Sequence, residues 1–419
     1  MSAMSEAADV VVLGGGAIGL SCALQLQLAG RSVRLLERDR IGAATSHGNC
    51  GTITPSHAPP LAAPGTLVKA FKWMLRPDAP LYLKPRWDPA LAGWLVRFAA
   101  RCNRRDWQAS ARSKGELLSL SRRLLEQLVR EHDLDCRFES LGLRYAYRDP
   151  RAFEHDLADL PSLRELGIEA QPMSGAELER DEPALLPGLA GALHFPGDAH
   201  LRPDRYCAEL ARVFLAHGGQ VEEGNAATGL RLSRGRMEGV DTLQGPRFAR
   251  EVVVALGPWS APWLAPLGLR LPIQPGKGYS ITWSRPRLAP RVPLVLREHS
   301  VCVTAWDDGF RLGSTMEFSG YDDRLNRVRL DALERAAARY LHEPTGPERR
   351  EEWFGWRPMT YDDLPIIGAA PGTRGLWLAT GHGMMGIGMS AATGRLVSEL
   401  VTGAEPCVDP RPFRADRFG

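Results

Sequence analysis

Residues 9–37, which read DVVVLGGGAIGLSCALQLQLAGRSVRLLE, decide the fold of this chain. The apolar run 9–13 is bounded by glycines and predicts a buried parallel strand. Residues 17–29 predict a helix that ends at Gly30. A second strand is predicted at 32–37. The segment therefore predicts a βαβ unit at the start of the chain.

The turn of this unit carries a dinucleotide-binding pattern. Gly14, Gly16 and Gly19 match G-x-G-x-x-G, in which the glycines allow a tight turn, backbone approach to a pyrophosphate and close helix–strand packing. The pyrophosphate would meet the helix N-terminus, which favours anions. Glu37 can accept hydrogen bonds from ribose hydroxyls and would repel a 2′-phosphate, so NADP is not expected. The alternative is a glycine-rich turn with a surface glutamate.

Three further segments favour FAD over NAD. Residues 42–54 are small and polar, residues 254–260 place a glycine after another apolar strand, and residues 380–388 place four glycines before a C-terminal helix. A chain that returns to the dinucleotide from its far end suits a long buried cofactor, and glycine permits close approach to an isoalloxazine ring. The first segment offers side chains for a phosphate or a flavin edge, although alone it would be an ordinary loop: Thr45, Ser46 and Asn49.

The remaining pattern predicts a mixed α/β protein. Amphipathic helices are predicted at 110–132, 204–217, 328–341 and 389–402. Strands are predicted at 143–147, 192–195, 251–256, 279–283, 301–305, 310–315 and 376–379. At 419 residues, the length favours two interleaved domains.

Composition excludes several classes of protein. The net charge of +3 is too small to indicate nucleic-acid binding. The seven cysteines are scattered and include no C-x-x-C pair, which argues against a zinc site or a disulfide scaffold and for a reducing compartment. No apolar run has transmembrane length, and no signal peptide is recognised. We therefore expect a cytoplasmic protein without a metal that can contact the inner face of the cell membrane.

The chain resembles the D-amino acid oxidase superfamily of flavoproteins, and within it the D-amino acid dehydrogenases. Glycine oxidase and sarcosine oxidase resemble it more distantly. The resemblance covers nearly the whole chain and rests on GGGAIGL near the start, TSHGNCG at 45–51, PSHAPPLAAPG at 55–65, KGYSIT at 277–282, GWRPMTYDDLPIIG at 355–368 and TGHGMMG at 380–386.

The resemblance implies non-covalent FAD and a Rossmann-type FAD-binding domain assembled from separated segments. It also implies a substrate domain with a mostly antiparallel sheet and helices. We expect the FAD-binding domain at 7–60, 198–265 and 350–415, and the substrate domain at 61–197 and 266–349. The residues expected to bind the cofactor are Gly14, Gly16, Ala17, Ile18, Gly19, Glu37, Arg38, Thr45, Ser46, Asn49, Gly51, Thr52, Ala227, Ala255, Gly257, Trp259, Gly381, His382, Gly383, Met384, Met385 and Gly386.

Arg357 is the first candidate for substrate binding. The resemblance implies that an arginine at this position holds the substrate carboxylate, and a guanidinium can grip a carboxylate with two parallel hydrogen bonds. From spacing alone, a structural ion pair with Asp362 or Asp363 is equally well supported.

Three further side chains are candidates for the substrate pocket. The Tyr279 hydroxyl could complete the carboxylate site, although a tyrosine in a strand is more often part of a core. His57 and His382 could line the pocket, bond the flavin or influence amine protonation. His57 stands where related dehydrogenases often have an aromatic residue, so the preference for a substrate side chain is open.

The segment 66–107 interleaves aromatic and basic residues. Such a pattern suits an anionic membrane surface, which a dehydrogenase that reduces quinone would need to contact. A cap packed over the substrate pocket is the preferred alternative. The residues are Phe71, Trp73, Met74, Leu75, Trp87, Trp94, Phe98 and Trp107 among Lys69, Lys72, Lys84, Arg97, Arg101, Arg104 and Arg105.

The sequence therefore predicts hydride transfer from the Cα of a D-amino acid to flavin N5, with electrons passed to a quinone or another acceptor than O₂. D-Proline and hydroxy-D-proline are plausible substrates. Three alternatives stay open: an oxidase that uses O₂ on glycine, sarcosine or D-amino acids, a hydroxy-acid or glycerol-phosphate dehydrogenase, and a non-catalytic flavin-binding subunit.

Overall fold

The structure is a computed structural model that describes residues 7–67, 74 and 78–418. The strands in these residues are β1 (Ala8–Leu13), β2 (Val33–Leu36), β3 (Thr52–Ile53), β4 (Leu81–Leu83), β5 (Leu143–Tyr147), β6 (Gln171–Ser174), β7 (Gly191–Phe195), β8 (Ala199–His200), β9 (Gln220–Glu222), β10 (Ala227–Ser233), β11 (Arg236–Thr242), β12 (Arg247–Val254), β13 (Gln274–Ser284), β14 (Leu294–Leu296), β15 (Val301–Ala305), β16 (Gly309–Phe318), β17 (Arg349–Met359), β18 (Ile366–Ala369) and β19 (Leu376–Thr380). The helices are α1 (Ala17–Leu28), α2 (Pro89–Arg101), α3 (Arg104–Glu131), α4 (Pro150–Ala158), α5 (Leu160–Glu165), α6 (Gly175–Asp181), α7 (Pro203–Ala216), α8 (Ser260–Leu264), α9 (Arg327–Ala337) and α10 (Gly386–Thr402).

The first sheet has a parallel core with β1 near its centre. Its order is β9, β2, β1, β12 and β19, and each neighbouring pair is parallel. β18 adds an antiparallel edge, and the hairpin of β10 and β11 extends β12. One face packs on α1, α7 and α10, and the other packs on the hairpin and α8. This confirms the βαβ unit and the Rossmann-type sheet.

Two helices on this sheet approach each other closely. α1 follows β1 directly, whereas α10 comes from the far end of the chain, and the two pack side by side. An added Cβ at Gly394 would collide with the carbonyl oxygen of Ser21. The C-terminal helix therefore rests directly on the helix that follows the glycine turn, as the predicted return of the chain requires.

The second sheet is mostly antiparallel. Its order is β17, β13, β16, β15, β14, β5, β7 and β6, and β4 pairs with the end of β16. Only the pairs of β14 with β5 and of β16 with β4 are parallel in the described part of the chain. α9 packs on one face of this sheet, where Leu330 and Leu333 are fully buried. The fold class expected from the sequence is thus confirmed.

The assignment of strands to sheets moves one predicted domain boundary. We expected the third cofactor segment to begin at residue 350, but β17 pairs with β13 along its whole length. Residues 350–359 therefore belong to the second sheet, and the cofactor segment begins after Met359. The reason is that β17 runs straight from one domain into the other, so no loop marks the crossing.

Most predicted elements lie where the sequence placed them, and two differences have local causes. The helix predicted at 110–132 begins at Arg104, because the Asn103 side chain accepts a hydrogen bond from the amide of Asp106 at 3.0 Å and caps it. The helix α2 was not predicted, although Asp88 caps it and Pro89 occupies its first position.

Candidate active site

The glycine turn has the geometry of a phosphate-binding loop. Gly14 has a φ of +104°, a conformation that side chains rarely adopt, and an added Cβ there would lie 2.6 Å from the carbonyl oxygen of Ala255. Gly16 caps α1 without a side-chain hydrogen bond, and a Cβ on Gly19 would collide with Gly14. The first turn of α1 leaves amide groups without helical partners, which suits a pyrophosphate.

Glu37 lies directly under this turn. Its carboxylate accepts hydrogen bonds from the amides of Gly15 at 2.7 Å and Asp39 at 3.0 Å. Because a carboxylate can accept about four hydrogen bonds, lone pairs remain for ribose hydroxyls. The residue is thus fixed beside the glycine turn, and its ribose contact stays a prediction.

Side chains of the loop 42–54 contact both α1 and the second sheet. Ser46 accepts a hydrogen bond from the amide of Ala17 at 3.1 Å, so it occupies one of the free donors of the helix terminus. Thr45 donates to the carbonyl oxygen of Trp356 at 2.8 Å. Both side chains therefore hold the loop against its neighbours.

Arg311 of β16 holds the centre of the same loop. Its guanidinium donates to the carbonyl oxygens of His47 and Asn49, each at 2.7 Å. The Asn49 side chain accepts a hydrogen bond from the amide of Gly51 at 2.7 Å, which closes a local turn. The loop is thus fixed between the two sheets.

The second and third glycine segments meet beside it. The Thr380 hydroxyl donates to the carbonyl oxygen of Gly257 at 2.9 Å, and the amide of Gly383 donates to Pro358 at 3.1 Å. Arg38 stacks on the Trp259 ring at 4.0 Å. The structure therefore brings the predicted segments together from distant parts of the sequence. The other predicted cofactor residues lie in or beside α1, β3, β10, β12 and α10: Ile18, Thr52, Ala227, Ala255, Gly381, Met384, Met385 and Gly386.

His382 is buried in the part of the protein that we expect to bind the cofactor. Its Nε2 atom and the Thr393 hydroxyl are 2.9 Å apart. Burial lowers the pKa of His382 to about 3, so the ring is neutral at physiological pH. A structural role beside α10 is the one that these contacts support.

Arg357 lies on the face of the second sheet that is turned to the loop 42–54. Its Nη1 atom donates to the carbonyl oxygen of Thr315 at 2.5 Å. A bulge between β13 and β16 directs that carbonyl, and Ser314 and Thr315 have positive φ values there. An added Cβ at Gly278 would collide with the guanidinium. The backbone around Arg357 is thus shaped to hold its side chain in one place.

No carboxylate is paired with Arg357 in the described residues. Asp362 pairs with Arg417 at 2.8 Å, and Asp363 pairs with Lys114 at 2.6 Å. The structural ion pair that spacing allowed is therefore absent. Burial lowers the pKa of Arg357 to about 10, so the side chain remains a cation at neutral pH. A partly buried cation of this kind is well suited to an anionic ligand.

Tyr279 does not join this site. Side chains alternate between the two faces of a strand, and Tyr279 points to the face opposite Gly278 and Arg357. There its hydroxyl donates to Glu317 at 3.0 Å, within the core under α9. The prediction that Tyr279 completes a carboxylate site is corrected on this geometry.

His57 lies in a 3₁₀ turn and contacts a side chain that the sequence did not indicate. Its Nε2 atom and the Tyr145 hydroxyl are 2.9 Å apart, and its buried Nδ1 atom has no hydrogen-bond partner among the described residues. Burial, together with the charges of Lys114 and Arg297, lowers the pKa of His57 to about 3. The imidazole is therefore neutral and keeps one ring nitrogen for a ligand.

The buried carboxyl group of Asp198, beside this turn, is expected to make the stability of the protein depend on pH. Burial raises its pKa to about 7, although Ser56 donates to both carboxylate oxygens. An unfolded aspartate loses its proton near pH 4, so the stability contributed by this group falls as pH rises from about 4 to 7. We expect Asp198→Asn to remove this loss. The melting-temperature difference between variant and wild type should increase up to pH 7 and then level off. An equal melting-temperature difference at every pH would contradict this prediction. The control variant is Asp323→Asn, at an exposed position.

Two cysteines that the sequence did not single out also lie here. Cys50, in the loop 42–54, and Cys302, in β15, are hydrogen-bonded through their thiols, and the charge of Arg357 acts on both. The position of Cys50 inside the TSHGNCG motif was the only signal in the sequence.

The segment 66–107 is divided by the structure. Trp94 is buried against Phe318, as expected for a packed cap. The Phe98 ring stacks on the Trp94 ring, with 5.5 Å between the ring centroids. Trp87, in contrast, is 94% exposed. The predicted residues Lys69, Phe71, Lys72, Trp73 and Leu75 lie outside the described residues. None of the helices in the described ranges combines the length and apolarity that crossing a bilayer requires.

Known proteins resemble this chain over nearly its whole length. A family described as FAD dependent oxidoreductase matches residues 9–400. A D-amino acid dehydrogenase from Paramagnetospirillum magneticum is 36% identical over 417 residues, with 98% of each chain covered. One from Methylobacterium nodulans is 35% identical, with 98% of this chain and 99% of the relative covered.

Solved structures share the fold. A glycine oxidase from Geobacillus kaustophilus has a TM-score of 0.78 at 24% identity, covering 98% of this chain and 99% of that chain. An L-proline dehydrogenase from P. horikoshii has a TM-score of 0.74 at 18% identity, covering 99% and 98%. These likenesses extend over both sheets.

The residues present fit FAD. The turn at Gly14, the free amides of α1 and the fixed Glu37 suit the adenosine diphosphate half. The glycine segments at Gly257 and Gly383 converge on the loop 42–54, beside Arg357, where a flavin ring needs close backbone approach. The chain therefore belongs to the FAD dependent oxidoreductase family, and FAD is its cofactor.

Proposed function

We propose that this enzyme is a D-amino acid dehydrogenase that oxidises the Cα–N bond of its substrate and passes the electrons to an acceptor other than O₂, such as a quinone. The observation that carries the proposal is Arg357, a partly buried cation without a carboxylate partner in the described part of the chain, next to the converging cofactor segments. The names of the relatives support the substrate class.

In this proposal Arg357 binds and orients the substrate. Its Nη1 atom is held by Thr315, so the outer edge of the guanidinium can grip a carboxylate in a bidentate manner. Non-covalently bound FAD supplies the hydride acceptor. The task of the chain is then to fix Cα at the flavin, which is a large part of the rate enhancement in such reactions.

His57 serves the amine end of the substrate. Because its ring is neutral, it does not repel a substrate ammonium group. When the ring donates its Nε2 proton to Tyr145, the free Nδ1 lone pair can accept a hydrogen bond from the amine. A cation bound to the carboxylate and a neutral acceptor at the amine together define an α-amino acid.

The test is an anaerobic absorbance titration of the purified holoenzyme. Bleaching of the flavin band near ~450 nm by D-amino acids, D-proline included, but not by their L-counterparts, would support the proposal. Reoxidation is then followed with a quinone analogue and with air. Fast peroxide formation in air would favour an oxidase acting on glycine, sarcosine or D-amino acids instead.

Other outcomes reject the proposal outright. Bleaching by hydroxy acids or glycerol phosphate alone would give a different substrate class on the same fold. A stable flavin band that no amine or hydroxy acid bleaches would favour a flavin-binding subunit of a larger complex.

A peripheral membrane contact is the part of the proposal that concerns the acceptor. Trp87 is almost fully exposed between Arg86 and the start of α2, and an exposed indole favours the headgroup region of a bilayer. We expect Trp87→Ser to weaken sedimentation with anionic vesicles and to leave turnover with a soluble dye unchanged. Equal sedimentation of both proteins would remove this surface from the proposal.

A further inference from the structure

Cys50 and Cys302 come together because β16 lacks a side chain between them. Cys302 in β15 is paired with Gly313 in β16. An added Cβ at Gly313 would lie 2.5 Å from the Cys50 sulfur, so that sulfur fills the space over the glycine. Cross-strand partners have Cβ positions about 4.5–5.5 Å apart, which brings the two sulfurs within reach of each other.

The two thiols differ in their electrostatic surroundings. The hydrogen bond from Cys302, together with the charges of Arg311 and Arg357, lowers the pKa of Cys50 in spite of its burial. The same hydrogen bond and burial raise the pKa of Cys302. Cys50 is thus the more acidic thiol of the pair, and the thiolate is the form that reacts with an oxidant.

Both residues are accessible in part. Cys50 and Cys302 are reduced and partly exposed, whereas Cys22, Cys136 and Cys207 are buried. A small oxidant can therefore reach the exposed part of each residue.

We propose that Cys50 and Cys302 form a reversible oxidation site, which hydroperoxides close to a disulfide at the substrate pocket. The Cys50 thiolate attacks one oxygen of hydrogen peroxide, forming a sulfenic acid and releasing hydroxide, which takes up the thiol proton as water. The Cys302 sulfur then attacks the sulfenic sulfur, and a second water leaves as the S–S bond forms. The two thiols lose two electrons in total, and peroxide accepts them.

The consequence for turnover rests on the proposed function. Arg357 acts on both sulfurs, so a bond between them changes the surroundings of the group that binds the substrate carboxylate. A bound carboxylate has the reverse effect. Its negative charge raises the Cys50 pKa and so lowers the thiolate fraction and, with it, the oxidation rate. Ligand binding is thus expected to protect the pair.

The test treats the reduced holoenzyme with hydrogen peroxide and maps its thiols by alkylation and peptide mass analysis. We expect two of the seven thiols to disappear per chain, with a cross-linked peptide that joins Cys50 to Cys302 and is two hydrogens lighter. A dithiol reductant should restore both thiols and the initial turnover. Propionate, as a simple carboxylate, should slow the thiol loss, and an unchanged rate would contradict the protection by a ligand.

Matched variants make the result specific. Cys302→Ser should block the cross-link and leave a sulfenic acid on Cys50 that dimedone traps, whereas exposed Cys407→Ser should behave like the wild type. Thiol loss without this cross-link, or a disulfide formed by Cys50 in Cys302→Ser, would overturn the proposed oxidation site. Mass and thiol readouts need no substrate. A cross-link in a protein that no amino acid reduces would therefore reject the proposed function and keep the oxidation site.

Discussion

Replacing Arg357 by methionine is expected to lower kcat/KM for the amino acid by roughly 30- to 5,000-fold, because losing one partner of a desolvated charge pair costs about 2–5 kcal/mol. The flavin should still bind, since the contacts of Glu37 and the glycine turn lie elsewhere. Steady-state kinetics with an artificial acceptor, together with the flavin absorbance of each preparation, measure both effects.

The size of the loss follows from the surroundings of the guanidinium. Asp362 and Asp363, which follow it in sequence, are engaged with Arg417 and Lys114, and no acid is paired with Arg357 in the described residues. A substrate carboxylate would therefore be its main anionic partner. Arg357→Lys keeps the charge but loses the planar fork, so an intermediate loss is expected.

Two controls separate substrate binding from damage to the fold. A substrate amine that lacks the carboxylate should be a poor substrate for the wild type and should lose little more in Arg357→Met. Added guanidinium should restore part of the activity of the variant. A loss of less than about threefold, or an equal loss with the amine, would remove Arg357 from the carboxylate site.

The cofactor half of the molecule could be predicted from local sequence. A strand, three glycines, a helix and an acid follow one another within thirty residues, and each has a backbone role that only a few residue types fulfil. The later segments at Gly257 and Gly383 were recognised for the same reason. That the chain returns to the dinucleotide from its far end was expected from the position of these glycines.

The substrate half was harder because side-chain direction depends on strand register. Tyr279 lies only two positions along β13 from Lys277, but the bulge opposite it and the pairing with β17 decide which face it occupies. Neither is visible in the pattern. Tyr145, which contacts His57, and Cys302 come from other strands of the same sheet, and nothing local marks them.

Segment crossings were also invisible in the sequence. β17 continues from the second sheet towards the cofactor loop without a turn, so a boundary placed by composition cannot find its end. The helix α2 did carry local signals, an aspartate cap followed by proline, but its aromatic and basic composition obscured them.

The buried ion pair between Lys114 and Asp363 leads to the second large prediction. The two side chains are 4% and 6% exposed and lie 2.6 Å apart. The pair connects α3 to the segment that carries Arg357, and Asp363 also accepts a hydrogen bond from the amide of Leu61. We expect Lys114→Met to lower the free energy of unfolding by about 3–5 kcal/mol, because it leaves a carboxylate buried without its cation.

A surface ion pair with the same nitrogen–oxygen distance provides a matched control. Lys84 and Asp322 are also 2.6 Å apart, but Lys84 is 40% exposed, so Lys84→Met is expected to cost less than about 1 kcal/mol. Adding Asp363→Asn to Lys114→Met should recover much of the loss, since asparagine tolerates the positive φ of 58° at this position. Denaturant unfolding of the four proteins, monitored by flavin release and by tryptophan fluorescence, tests this. If the double variant is no more stable than Lys114→Met, the cost comes from packing around the lysine stem, and the ion pair does not hold α3 to the cofactor segment.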